Sequence, residues 1–222
     1  KLMHTPNLES EELLLDVNQM ADKYDYYHVS SRSISPDNLT LAFGEDTVSR
    51  RQYTLRFKDL SNGQFYPESI PNTTGSAIWA NDNKTLFYTR KDETLRSYKI
   101  YKHKLGTPHV EDVEIFHEED ETYNAFVYKT KSNRFIVIGS WATLSQEYYT
   151  LDADDPDGEM SLFQKRERNL EYSIAHHKDS WYIRTNKDGA INFKIMSTPI
   201  GHTEKENWID HQPLQEKVYI EG

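Results

Sequence analysis

The sequence predicts an all-β protein: a partial β-propeller of about four blades, each a four-stranded antiparallel meander. Three observations carry this expectation. Four segments share one pattern, a polar turn followed by an apolar strand. Aligned on Leu41, Leu86, Phe135 and Trp181, they recur at spacings of 45, 49 and 46 residues. Fourteen residues after each anchor sit Leu55, Ile100, Tyr149 and Ile195, all apolar or aromatic and all in strand-like stretches. Finally, hydrophobic residues make up only 36% of the 222, but 13% aromatics still supply a core, which argues against disorder.

The elements follow from that register. The lead-in segment, 1–25, contains Glu-Glu-Leu-Leu-Leu-Asp-Val-Asn-Gln-Met at 11–20, which reads either as a short helix behind Ser10 as N-cap or as an outer strand of a preceding blade. Blades are expected at 26–71, 72–119, 120–167 and 168–211. Their first strands read at 27–33, 77–80, 124–128 and 172–175, and their third strands at 53–57, 98–101, 148–151 and 193–196. Asn62-Gly63 and Asp157-Gly158 are hairpin turns before weaker fourth strands at 64–67 and 161–164, with another at 113–116. Residues 212–222 begin a further blade, with 218–222 as its first strand. Each blade buries one face on the next, so a run that starts and stops in blade-like sequence reads as part of a larger ring, and Lys1 in place of Met fits a piece of a longer protein.

Composition and missing motifs exclude most chemistries. With no cysteine there is no disulfide framework, Cys nucleophile or Cys-ligated metal. The longest aliphatic run, Phe135-Ile136-Val137-Ile138, is far too short to span a membrane. The net charge of −10 disfavours nucleic acid, and the basic clusters are short and scattered; such a charge suits a soluble cytoplasmic protein and can steer a cationic ligand. There is no Gly-x-Ser-x-Gly elbow, phosphate-binding glycine loop or His-Glu-x-x-His. His176 and His177 are adjacent, so on a strand they point to opposite faces. The acidic run 152–159 fails the register of a calcium loop and reads as a hairpin turn. Glu118-Glu119-Asp120-Glu121 reads as a solvated loop. The sequons at Asn38, Asn72 and Asn83 carry little weight without a secretory signal. No metal or cofactor is expected.

The connections between second and third strands lie together on one rim. They are 45–52, 89–96, 139–146 and 185–191, and they hold Glu45, Asp46, Arg50, Arg51, Trp141 and Asn186. A mixed-charge rim with an aromatic suits docking to another protein surface.

At these residues a resemblance appears. Gly44-Glu45-Asp46-Thr47-Val48-Ser49-Arg50-Arg51-Gln52-Tyr53, Trp79-Ala80-Asn81-Asp82, Lys104-Leu105-Gly106-Thr107-Pro108 and Arg184-Thr185-Asn186-Lys187 resemble oligopeptidase B, or protease II, of the prolyl oligopeptidase family of serine peptidases. Leu13-Leu14-Leu15-Asp16-Val17-Asn18 fits the segment that leads into its propeller. The resemblance implies a seven-bladed ring capping an α/β-hydrolase domain that holds the catalytic Ser, Asp and His. This chain would then be about four of the seven blades, with no catalytic residue and no hydrolase domain of its own. It also implies that the parent cleaves peptide bonds after Arg or Lys, that the propeller admits short peptides and excludes folded proteins, and that the second-to-third-strand loops face the hydrolase domain. On that basis Arg50 and Arg51 are the expected interdomain ion-pair donors favouring the closed state. Glu45, Asp46, Trp141 and Asn186 are expected to line the same cavity. The implied partners are the hydrolase domain of the same parent chain and short basic peptides. Competing readings are a free-standing propeller scaffold for peptides or proteins, and a propeller enzyme such as a glycosidase, against which the placing of the paired acids in turns argues.

Overall fold

The computed structural model describes residues 11–221. Every strand pairing in it is antiparallel, in sheets of seven, four and four strands. The four expected blades are all present. The first holds β1 (His28–Ile34), β2 (Thr40–Asp46), β3 (Tyr53–Asp59) and the leading half of β4 (Phe65–Trp79). The second takes the trailing half of β4 with β5 (Thr85–Lys91), β6 (Ser97–Lys104) and β7 (Val113–His117). The third is β8 (Asn124–Lys129), β9 (Phe135–Ala142), β10 (Ser145–Asp152) and β11 (Ser161–Gln164). The fourth is β12 (Tyr172–His177), β13 (Ser180–Thr185), β14 (Lys194–Pro199) and β15 (Ile209–Gln212).

The sheet of seven strands comes from β4. It pairs with β3 through Ile70 and Thr73, then with β5 through Thr73, Ala77 and Trp79, so one strand serves two blades. Asn72 and Gly75 both have positive φ at the passage. A side chain at Gly75 would lie 2.2 Å from Ser30 Oγ and 2.7 Å from Tyr53 Cγ, so only glycine lets the chain cross so close to β1 and β3. The sequence shows two strand signals here because a bulge, not a loop, separates them.

The cores lie between blades. Leu55, Phe57, Ile70, Trp79, Leu86 and Tyr88 fill the first gap. Phe87, Ile100, Ile136, Ile138 and Leu151 fill the second. The third is aromatic, with Tyr148, Phe163, Tyr172, Trp181 and Trp208. Each such side chain taken out of water contributes about 1.5–3 kcal/mol. This packing explains the continuous apolar runs: β5 and β9 each lie between two other blades, β2 lies between the second blade and the lead-in segment, and all three bury both faces over most of their length, whereas β13 alternates.

Three details differ from expectation. The helix at the start is short, α1 (Val17–Ala21), and its N-cap is Asp16, whose Oδ1 accepts the Gln19 N–H at 3.1 Å; Ser10 lies outside the described residues. The fourth blade has an outer strand, β15, which the sequence pattern does not reveal because all four residues are exposed and only pairing to β14 defines them. Residues 218–220 form no strand; the Ile220 N–H donates to the Asn192 carbonyl at 3.0 Å, and Gly222 is outside the described residues.

Candidate functional site

In a meander blade, the loop between second and third strands shares a rim with the connection to the next blade. Two loops on this rim are built alike. Asp46 ends β2, and its carboxylate accepts the N–H groups of Val48 at 2.9 Å, Arg50 at 3.0 Å and Arg51 at 2.8 Å. Asp92 follows β5 and accepts the N–H groups of Thr94 at 2.9 Å and Arg96 at 3.0 Å. Both are short aspartates that substitute for strand pairing at a loop.

The arginines that follow are used in opposite ways. Arg96 is turned inward. Its Nε donates to Asp92 at 3.0 Å, and its Nη1 reaches the carbonyls of Glu118, Asp120 and Tyr123 at 3.1–3.3 Å. Arg50 and Arg51 are exposed, and neither forms an ion pair among the described residues. Arg51 takes a left-handed backbone, φ 54°, as does Ser49 at φ 58°. Its carbonyl accepts the Lys91 ammonium at 2.7 Å from the next blade. Burial, reinforced by the charge of Arg51, pushes the Lys91 ammonium below its usual range.

The remaining expected residues separate. The side chain of Glu45 is 11% exposed and is tied to Tyr27 Oη at 2.7 Å and Arg56 Nη1 at 3.0 Å, beside the lead-in helix. Asp46 is 1% exposed and spends its carboxylate on its own loop, whose shape it sets. Trp141 is near the end of β9 and 46% exposed, with Leu144 at 51% on the adjoining turn. Val48 at 62% and Ile191 at 81% add exposed apolar groups from the first and fourth blades. Asn186 lines a cleft of about 640 Å³ with Arg168, Glu171, Lys187 and Ile191. Its amide accepts the Glu171 N–H at 2.9 Å and donates to the Asn169 carbonyl at 3.0 Å, which fixes one wall.

The expectation of a solvated acidic loop at 118–121 is corrected at its first residue. Glu118 is 3% exposed. It accepts Arg166 Nη1 at 2.7 Å, the Ser140 hydroxyl and the Asp120 N–H at 2.9 Å. Burial alone would raise this carboxyl; the Arg166 guanidinium, with Ser140 and Asp120, overcomes that and holds it below the usual carboxylate range. Arg166 lies 4.1 Å above the Tyr123 ring. One carboxylate thus joins the connection after the second blade, strand β9 and the connection after the third. The sequence carried one usable signal for these loops, an aspartate at the end of a second strand with an arginine four or five residues on, at Asp46 and at Asp92.

Residues 2–222 match the N-terminal β-propeller domain of prolyl oligopeptidase. Dipeptidyl aminopeptidase BI of Pseudoxanthomonas mexicana is 40% identical over 96% of this chain and 29% of its own length. Protease 2 of Moraxella lacunata is 30% identical over 96% of this chain and 32% of its own length. The structure of oligopeptidase B from Leishmania major superposes with a TM-score of 0.89 at 30% identity, covering 95% of this chain and 30% of that one. The chain thus spans about a third or less of each of these proteins. A repeat of four-stranded blades, with its cores between blades and a match over nearly every residue, places the chain in the prolyl oligopeptidase N-terminal β-propeller family.

Proposed function

We propose that this chain is the gating part of a serine oligopeptidase. It restricts access of short peptides to a hydrolase domain carried by the same parent protein. Arg50 and Arg51 are the donors of interdomain ion pairs that favour the closed state. The observation that carries this reading is the contrast on the rim: Arg96 is bound to Asp92 and three carbonyls within the propeller, whereas Arg50 and Arg51 stand exposed on an aspartate-pinned loop. Guanidinium groups in that position suit bidentate carboxylate partners across an interface, with exposed Val48, Trp141 and Leu144 supplying apolar contact. Such pairs shift an open–closed equilibrium more than they add stability.

For the bond cleaved, the resemblance to oligopeptidase B favours hydrolysis after Arg or Lys, and the net charge of −10 favours basic peptides. The 40% identity to a relative named a dipeptidyl aminopeptidase supports a second reading, release of dipeptides from a free amino terminus.

The first test labels the native source with a fluorophosphonate probe and captures the protein with an antibody to this chain. A labelled band several times larger than 26.1 kDa supports the peptidase reading. An unlabelled band near that mass returns the scaffold reading. An amino-blocked Arg-Arg fluorogenic peptide and a free dipeptide substrate then separate the two specificities. In the full-length protein, Arg51→Ala is expected to lower turnover without moving the unfolding midpoint. Unchanged kinetics with unchanged domain opening by small-angle scattering would remove Arg51 from the gate.

A further inference from the structure

We infer that Lys91 is a positioning residue: from the second blade it fixes the backbone of Arg51 in the first, so that the rim presents the Arg51 guanidinium in one arrangement. The inference rests on the docking role proposed for Arg51 and adds the residue that makes that role possible.

The argument starts from strain. A non-glycine residue in the left-handed region costs about 1–2 kcal/mol, and this loop has two, Ser49 and Arg51. Such a conformation persists only where its surroundings over-determine it. Around Arg51 both peptide groups are held by charges of opposite sign. The Asp46 carboxylate takes the N–H at 2.8 Å, and the Lys91 ammonium gives a hydrogen bond to the C=O at 2.7 Å. The aspartate is 1% exposed, and the lysine is the last residue of β5, a strand whose first five residues are buried. The ammonium also lies 6.0 Å from the centre of the Tyr53 ring, directly beyond the loop. The loop is therefore fixed from its own blade at one end and from the neighbouring blade at the other. The second-blade loop needs no such lysine, because Arg96 is held by its own side chain.

The clamp has a chemical signature apart from activity. The carbonyl that accepts Lys91 is that of the Arg51–Gln52 bond, which trypsin would attack. A peptidase needs the scissile segment extended, with its backbone groups free to pair. A left-handed residue with both groups occupied meets neither requirement, although the arginine is exposed.

The test uses the full-length protein with Lys91→Met, which keeps length and removes the charge, and Lys91→Arg, which keeps the charge. Under native conditions, trypsin cleavage after Arg51, mapped by mass spectrometry, is expected to speed up about tenfold or more in Lys91→Met, the scale of a lost hydrogen bond from a charged donor. It should stay within a fewfold of the parent in Lys91→Arg. Peptide turnover should fall in Lys91→Met, and should not fall further when Lys91→Met is added to Arg51→Ala, because Lys91 acts through Arg51. Unchanged cleavage in Lys91→Met overturns the clamp. Faster cleavage with unchanged turnover, while Arg51→Ala lowers turnover, overturns the positioning role and leaves the docking reading standing. Unchanged turnover in Arg51→Ala fails the docking reading itself, and the cleavage rates still decide the clamp. If Lys91→Met does not fold, Lys91→Gln in the same two assays decides.

Discussion

Glu118→Gln is the sharpest test of how the rim is held. Glutamine keeps the shape and one acceptor oxygen but removes the charge and brings an NH2 among donors. Those donors are Arg166 Nη1 at 2.7 Å, the Ser140 hydroxyl and the Asp120 N–H at 2.9 Å. Two unit charges about 4 Å apart interact by about 4 kcal/mol at an effective dielectric of about 20. The side chain of Arg166 is 29% exposed, so water takes back part of that when the carboxylate is lost. The expected destabilisation is therefore about 2–3 kcal/mol, at the lower edge of what breaking a buried pair costs. The sign with pH follows from the depressed carboxyl. The stabilisation is complete above the ordinary glutamate value of 4.5 and is lost as pH falls through the lower folded value. Urea unfolding at pH 7 should show the full gap between parent and variant, and the gap should close as the pH falls from the ordinary glutamate value of 4.5 through the lower folded one. Glu119→Gln, at an exposed neighbour, should lie within about 0.5 kcal/mol of the parent and serves as the control. A Glu118→Gln gap under about 0.5 kcal/mol at pH 7, or one that does not change with pH, would refute the reasoning.

Two further substitutions probe the blades. A Cβ on Gly139 would lie 2.2 Å from Phe126 Cζ, so Gly139→Ala forces that ring out of its place beside Tyr148 and should cost about 2 kcal/mol or more in urea unfolding. Lys178 turns β12 into β13 at φ 54°; Lys178→Gly removes about 1–2 kcal/mol of left-handed strain against about 0.5–1 kcal/mol of added chain entropy, so a small rise in Tm is expected.

Lys178 also shows why the fold was so legible. The equivalent turns of the other blades place Asn38, Asn83 and Asn133 at φ 59–62°, two or three residues before the anchors Leu41, Leu86 and Phe135. The polar turn and the apolar strand are therefore one unit, with a left-handed residue setting where the second strand begins. That residue type is a local backbone requirement, and local requirements leave a mark on sequence. The double burial of β9 is local in the same sense, because a strand covered on both faces reads as a run of consecutive apolar residues, here 135–138. The strand β15 left no such mark. It is an exposed edge defined by hydrogen bonds to β14, and backbone pairing does not select side chains that face water.

The rim was less legible for a related reason. Arg51 and Arg96 follow aspartates at nearly the same spacing, yet one faces solvent and the other is bound by three carbonyls of the connection at 118–123. What separates them is the neighbouring chain, which passes over the second-blade loop and leaves the first open. Glu118 depends on context in the same way. Within an acidic run it looks solvated, and it becomes a buried ion only because β9 and the connection after β11 close over it from more than 20 residues away. Glu45 neighbours Asp46 in sequence, but successive strand residues face opposite ways, and its carboxylate is bound by Arg56 and Tyr27 while that of Asp46 holds the loop. The residues that carry function on a propeller rim are thus fixed by which loops lie side by side. If Arg51 works as proposed, its role comes from Lys91, forty residues on in a different blade, and neither residue announces it alone.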